Sequence, residues 1–154
     1  MLMNFPWQKQ KDFFNDEEKQ LLVDAIQKAE KNTSGEVRVY IESHCKYVNA
    51  IDRAREIFFQ LEMDHTVLRN ATLIYVAVKD RQAAVFGDEG IHQKTGLKYW
   101  EDIVAKMLTL FRQQNLTSGI CQAVEDLGQA LQFYFPYNSN TDKNELPDEI
   151  VFGR

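Results

Sequence analysis

Two carboxylates, Asp88 and Glu89, stand between Gly87 and Gly90, where the strand-like run Val85-Phe86 breaks. Two chemistries suit that arrangement. One is a turn, because acids and glycines are ordinary turn residues. The other is a site for a hard divalent cation, Ca2+ or Mg2+, which takes carboxylate, carbonyl and water oxygens. Glycines beside the acids would let backbone carbonyls come close to an ion. The spacing does not fit an EF-hand loop.

Further candidates are scattered along the chain. Glu36 follows Thr33-Ser34-Gly35, and Asp64 lies in the segment MDHTVLRN. His44-Cys45 pairs two residues that serve nucleophilic catalysis or zinc. Neighbours in an extended strand point to opposite faces, which argues against a joint role. His65 and His92 have no helical histidine partner at metal spacing and read as surface or turn residues. Cys45 and Cys121 match no metal or redox spacing, and two reduced thiols are expected. Neither a phosphate-cradling glycine loop nor a GxSxG elbow is present. No catalytic residue is assigned.

Composition narrows the classes of function. The chain has 154 residues, 44% of them hydrophobic, with 10 Phe and a formal net charge of −5. That suits one domain with a core of its own. An acidic balance argues against a general nucleic-acid binder, whose affinity comes from neutralising phosphates. No apolar run is long enough to span a bilayer, so no membrane insertion is expected. Met1 to Asp12 has no signal-peptide pattern. A cytoplasmic monomer is the expectation, with an unknown protein as possible partner.

The elements that must hold the candidates can be read from periodicity. Residues 1–11 form a loose N-terminal arm in which Phe5 and Trp7 are able to dock. Residues 12–137 are the domain, and the polar segment 138–154 is a flexible tail. FFNDEEKQLLVDAIQKAEKN predicts a helix with Asn15 as N-cap and Glu18 completing a capping box. GEVRVYIES alternates like a strand. AIDRAREIFFQL is helical, with Ala50, Ile51, Ala54, Ile57, Phe58 and Leu61 inward. ATLIYVAV is apolar on both faces, as a covered central strand is. KDRQ is short enough to make AAVFGD its antiparallel hairpin partner. Trp100, Ile103, Val104, Met107, Leu108 and Phe111 make one face of a long helix. A last helix, capped by Thr117 or Ser118, carries Ile120, Ala123, Val124, Leu127 and Leu131.

Right-handed crossover of the strand-helix-strand unit makes the first two strands parallel. The predicted fold is a three-layer α/β/α sandwich with a small mixed sheet. Topology then gathers Glu36, Asp64, Asp88 and Glu89 at one end of the sheet, near the hydroxyls of Thr33, Ser34 and Thr66. The other end collects Ser43, His44, Cys45, Asp80 and Arg81.

SGEVRVYIE, NATLIYVAVKDRQAAVFGDEGI and the helix around Trp100 together resemble the TPM domain, and more narrowly its small, soluble, single-domain bacterial branch. The resemblance covers about Asp12 to Tyr137. This chain has Asn70-Ala71 where relatives often carry Asn-Gly. The resemblance implies the α/β/α fold, divalent-cation binding, and an acid-phosphatase activity proposed for plant relatives. Motif matching carries the metal site to Glu36, Asp88 and Glu89, and topology adds Asp64. Two functions follow. One is a cation-binding or protein-interaction module in which the acids order a loop that faces a partner. The alternative is a metal-dependent phosphatase, whose ion polarises a phosphoryl oxygen while Arg69 or Arg38 steadies the phosphate.

Overall fold

The computed structural model describes residues 13–137 and 150–153. Along the chain come α1 (Asp16–Glu30), β1 (Glu36–Glu42), α2 (Ala50–Gln60), β2 (Ala71–Ala77), β3 (Gln82–Gly87), α3 (Glu89–Thr95), α4 (Leu97–Arg112), α5 (Leu116–Tyr134) and β4 (Ile150–Phe152). The sheet order is β3-β2-β1-β4. β1 and β2 are parallel, with Val37 opposite Thr72, and β2 and β3 are antiparallel, with Ile74 opposite Val85. Both pairings are those the change of period and the short KDRQ link predict.

Side-chain alternation explains the layers. On β1, Val37, Val39 and Ile41 enter a core with Leu22, Ile26, Ile103, Met107, Ile120, Leu127 and Leu131 of α1, α4 and α5. Leu73, Tyr75 and Ala77 of β2 face the other way and meet Ala54, Ile57 and Phe58 of α2. β2 is buried on both sides, as its unbroken apolar run requires. The product is the expected α/β/α sandwich.

Local signals hold at the first helix. Asn15 Oδ1 accepts from Glu18 N at 2.8 Å and Glu18 Oε1 accepts from Asn15 N at 3.0 Å, which completes the capping box. Among the described residues no helix is long and apolar enough to cross a membrane.

Four expectations need correction. The segment read as a flexible tail ends in a strand: Ile150, Val151 and Phe152 pair in parallel with Val39, Tyr40 and Ile41 of β1. The physical reason is the outer edge of β1, which three apolar residues cover; Ile150 and Phe152 also pack against the larger core. Residues 138–149 lie outside the described residues, as do Phe5 and Trp7. Second, Asn115 and neither Thr117 nor Ser118 caps α5, without a side-chain hydrogen bond. The Thr117 hydroxyl instead donates to Glu18 Oε2 at 2.8 Å, tying α5 to α1. Third, Ile51 does not point into the core and is 37% exposed. Fourth, the glycine segment opens a short helix of its own, α3, which stops at Gly96; with φ of 81° this residue adopts a turn that other side chains disfavour.

Candidate functional site

Asp88 sits one residue past β3, where its amide donates to Ala71 O at 3.0 Å and ends the ladder. Its carboxylate then caps α3 by accepting from Glu89 N at 2.8 Å. The same carboxylate takes a fork from Arg69, Nε to Oδ2 at 2.7 Å and Nη2 to Oδ1 at 2.9 Å. Arg69 Nη1 reaches Glu89 Oε1 at 3.3 Å. Asp88 is only 3% exposed, so the fork answers a buried charge.

The backbone of Arg69 is built around the same corner. Its φ is 52°, in the left-handed region, a conformation that costs energy for a long side chain. Its carbonyl accepts from Gly90 N at 2.8 Å and Ile91 N at 3.3 Å, which pins the first turn of α3 to the loop. A Cβ at Gly90 would overlap the carbonyl oxygens of Leu68 and Arg69, and one at Gly87 would overlap the Trp100 ring. The two glycines are therefore explained by close packing of loop, helix and strand rather than by access for a ligand.

The charges converge on Arg69. The Asp88 hydrogen bonds above all, helped by the charges of Asp88, Glu89 and Asp64, hold its guanidinium above its ordinary range. So three of the four predicted ligands, Asp64, Asp88 and Glu89, act on one cationic group. Glu36 is buried at the start of β1, its amide donating to Asn70 O at 3.4 Å. Among the described residues no three His, Cys, Asp or Glu side chains stand together as a ready metal cluster. Arg69 occupies the place where their charges meet.

The hydroxyls divide. Thr33 Oγ1 donates to Leu131 O at 2.9 Å and accepts from Gly35 N at 3.0 Å, so its role is to tie β1 to α5. Ser34 Oγ accepts from Asn70 Nδ2 at 3.1 Å. Thr66 Oγ1 and Asn70 Oδ1 are buried and have no hydrogen-bond partner among the described residues. Buried oxygens of that kind are uncommon; Gln82 Oε1 on β3 is another. Thr66 and Asn70 belong to the loop that carries Asp64 and Arg69. Sequence reading identified Thr66 as a candidate but not Asn70, whose type is unremarkable before a strand. Arg38, the other proposed phosphate clamp, is buried within β1.

The opposite end of the sheet holds the histidine and cysteine apart in function. Asp80 accepts from the Cys45 amide at 2.7 Å and pairs with His44 Nδ1 at 2.9 Å. The Cys45 thiol is directed to Tyr47 O at 3.5 Å. His92 accepts from Trp100 Nε1 at 2.8 Å, while His65 lies 3.8 Å from Asp64.

A family model described as the TPM domain matches residues 8–130. The NMR structure of BA42 protein from the psychrophilic bacterium Bizionia argentinensis is 40% identical and superimposes with a TM-score of 0.84, over 95% of this chain and 99% of that one. The N-terminal domain of cg2496 protein from Corynebacterium glutamicum has a TM-score of 0.60 over 96% of each chain, at 11% identity, a likeness of fold alone. None of the curated proteins matches.

Proposed function

The chain belongs to the TPM domain family, and from that premise we propose that it is a divalent-cation-binding module that presents an ordered loop surface to a protein partner. The observation that carries this reading is the convergence on Arg69. Asp64, Asp88 and Glu89 direct their charge at one guanidinium, whose loop also carries two buried oxygens without partners among the described residues, Thr66 Oγ1 and Asn70 Oδ1.

The donor set fits a hard cation. It consists of the carboxylate oxygens of Asp64, Asp88 and Glu89 and contains no soft ligand. Asp88, Glu89 and Asp64 would hold Ca2+ or Mg2+, with Glu36 at the margin of the site. A bound ion supplies concentrated positive charge, which is what Arg69 supplies without it. Arg69 is thus the natural competitor of the cation. It is 37% exposed at its side chain and can swing outward, and the ion would then have to replace it as partner of the buried Asp88 carboxylate. Exchange of guanidinium for ion would leave the corner between the loop 61–70 and α3 fixed, and that corner is the ordered surface.

An amide chemical-shift titration with Ca2+ and with Mg2+ tests the reading. Saturable shifts are expected at residues 64–70 and 87–91. Asp88→Asn should abolish them, and Arg69→Met should tighten binding because the competitor is gone. Absence of saturable shifts, or shifts that survive in Asp88→Asn, would overturn the proposal.

A further inference from the structure

Arg69 N donates to Thr66 O at 3.3 Å and closes a tight turn in the loop between α2 and β2. Val67 and Leu68 are the central residues of that turn, 87% and 50% exposed. Central turn positions ordinarily hold Pro, Asp, Asn, Ser or Gly, which preset the backbone or hydrogen-bond to it. Here a β-branched and a long aliphatic side chain stand there instead. A break of local turn chemistry that gains nothing inside the fold points to function. The turn is also firmly held. Met63 before it, Thr66 at its start and Asn70 just after it are buried. Met63 N donates to Phe58 O at 3.0 Å, and the Arg69 carbonyl takes the amides of Gly90 and Ile91. Two aliphatic side chains are thus carried outward on a fixed support, which lowers the entropic cost of docking.

We propose that Val67 and Leu68 form an apolar knob that enters a pocket on a partner protein, and that Lys and Arg side chains rim that pocket. The inference rests on the interaction half of the proposed function, whose partner it describes, and nothing in it depends on a bound cation.

Charge identifies the partner. The loop and the start of α3 carry Glu62, Asp64, Asp88 and Glu89 against the one guanidinium of Arg69. His65 lies 3.9 Å from Glu62 and 3.8 Å from Asp64, and even as a cation it leaves the acids in excess. The Glu62 and Glu89 side chains are mostly exposed, so their charge faces solvent. That excess decides among the occupants of an apolar tip. An anionic membrane leaflet and a nucleic acid are both repelled. A second copy meeting the tip face to face brings the same acids to the contact. A protein pocket with an apolar centre and a basic rim satisfies the aliphatic tip and the charge together.

The test places a photo-cross-linker on the tip, Val67→p-benzoylphenylalanine, in the full chain, irradiated in an extract of the source cells that contains chelator. Working without cation keeps a failed cation titration and a failed docking test as separate results. The adduct is expected on one protein, at an apolar pocket with Lys or Arg around it, and should be absent when the same probe replaces Leu21, an exposed aliphatic residue of α1. Binding of that purified protein should weaken about tenfold or more in Val67→Ser with Leu68→Ser. It should also weaken in Glu62→Lys and with added salt. These variants should melt like the parent, because the changed side chains are exposed. The proposal is overturned if no adduct forms or if the Leu21 probe gives the same one. It is overturned equally if the adduct is a lipid, a second copy, residues 1–12 of the same chain or an acidic surface, or if the double serine variant binds as the parent does.

Discussion

Arg69 and Asp88 form a two-bond fork, 2.7 and 2.9 Å, across the corner where the second strand begins and the third ends. Repulsion among clustered carboxylates, taken alone, would make neutralising Asp88 harmless or stabilising. The fork reverses that sign. Asp88 already has a cation and already caps α3. Asp88→Ala is therefore expected to destabilise the cation-free protein by about 1–2 kcal/mol, the range for a lost helix cap, and Asp88→Asn, which keeps a capping oxygen but loses the charge, by less. Urea unfolding in chelator measures both. An Asp88→Asn protein more stable than the parent would show that the acids repel and that Arg69 does not balance them.

The C-terminal strand is the second test. Ile150 and Phe152 are partly buried against the main core, Phe152 and Phe14 lie with ring centroids 6.5 Å apart, and Gly153 N donates to Ile41 O at 2.8 Å. Truncation after residue 149 removes this apolar cover and reopens the edge of β1. The expected loss is about 1–3 kcal/mol from the buried area of two large side chains, a fall in Tm of roughly 3–9 °C at this chain length. A shift under about 2 °C would mean that β4 adds nothing to the fold.

What the sequence disclosed follows from how local each signal is. Period changes at Val37–Ile41 and Ala83–Phe86 and the four-residue link between the hairpin strands sufficed for three strands and their directions, because each signal lies within one segment. β4 escaped for the opposite reason. Three apolar residues carry no period, and their support, β1 and the core beneath it, lies more than a hundred positions away. The candidate site shows the same division. Topology brought Asp64, Asp88 and Glu89 to one end of the sheet. The role of Arg69 depends on a left-handed turn and a cap that no spacing encodes, so the sequence suggested a phosphate clamp where the structure has an ion pair with Asp88. Ile51 fits the helical stripe of α2 by period, but the sheet ends beneath it, so it lines an open groove.

Acid should loosen the protein at two named places. The Asn15 amide first, and then the Thr117 hydroxyl, hold the Glu18 carboxyl below its ordinary 4.5. His44 first, and then the Cys45 amide, hold Asp80 below its ordinary 3.8. Both groups have a lower pKa folded than unfolded. Their stabilisation is complete above those ordinary values and is lost as pH falls through the depressed ones. Glu18→Gln and Asp80→Asn should each lower stability at neutral pH yet flatten its decline below about pH 4. Melting curves across the acid range decide; a double variant that declines as steeply as the parent would clear both residues of any part.

The most demanding test lies under α2. Glu42 is buried, and Arg53 forks it with Nε to Oε2 at 2.9 Å and Nη2 to Oε1 at 3.1 Å. Tyr75 donates its hydroxyl to the same Oε2, and Arg53 also pairs with Glu56 and lies over the Tyr40 ring, 5.9 Å from its centroid. Burial first, and then the bond to Glu42, push the Tyr75 hydroxyl far above its ordinary value, so it stays a donor throughout the physiological range. Removing one member of such a set strands a buried charge, whereas removing both can be nearly neutral. Arg53→Met is expected to cost about 3 kcal/mol. Tyr75→Phe, which leaves the fork intact, should cost about 1 kcal/mol. The pair Arg53→Met with Glu42→Leu should recover most of the single loss, because the stranded carboxylate is gone and the new side chains lie beside Tyr40, Tyr75 and Ala77. Chemical unfolding of the four proteins gives the coupling directly. If the double variant is as unstable as the two singles summed, Glu42 and Arg53 act independently and the network has been misread.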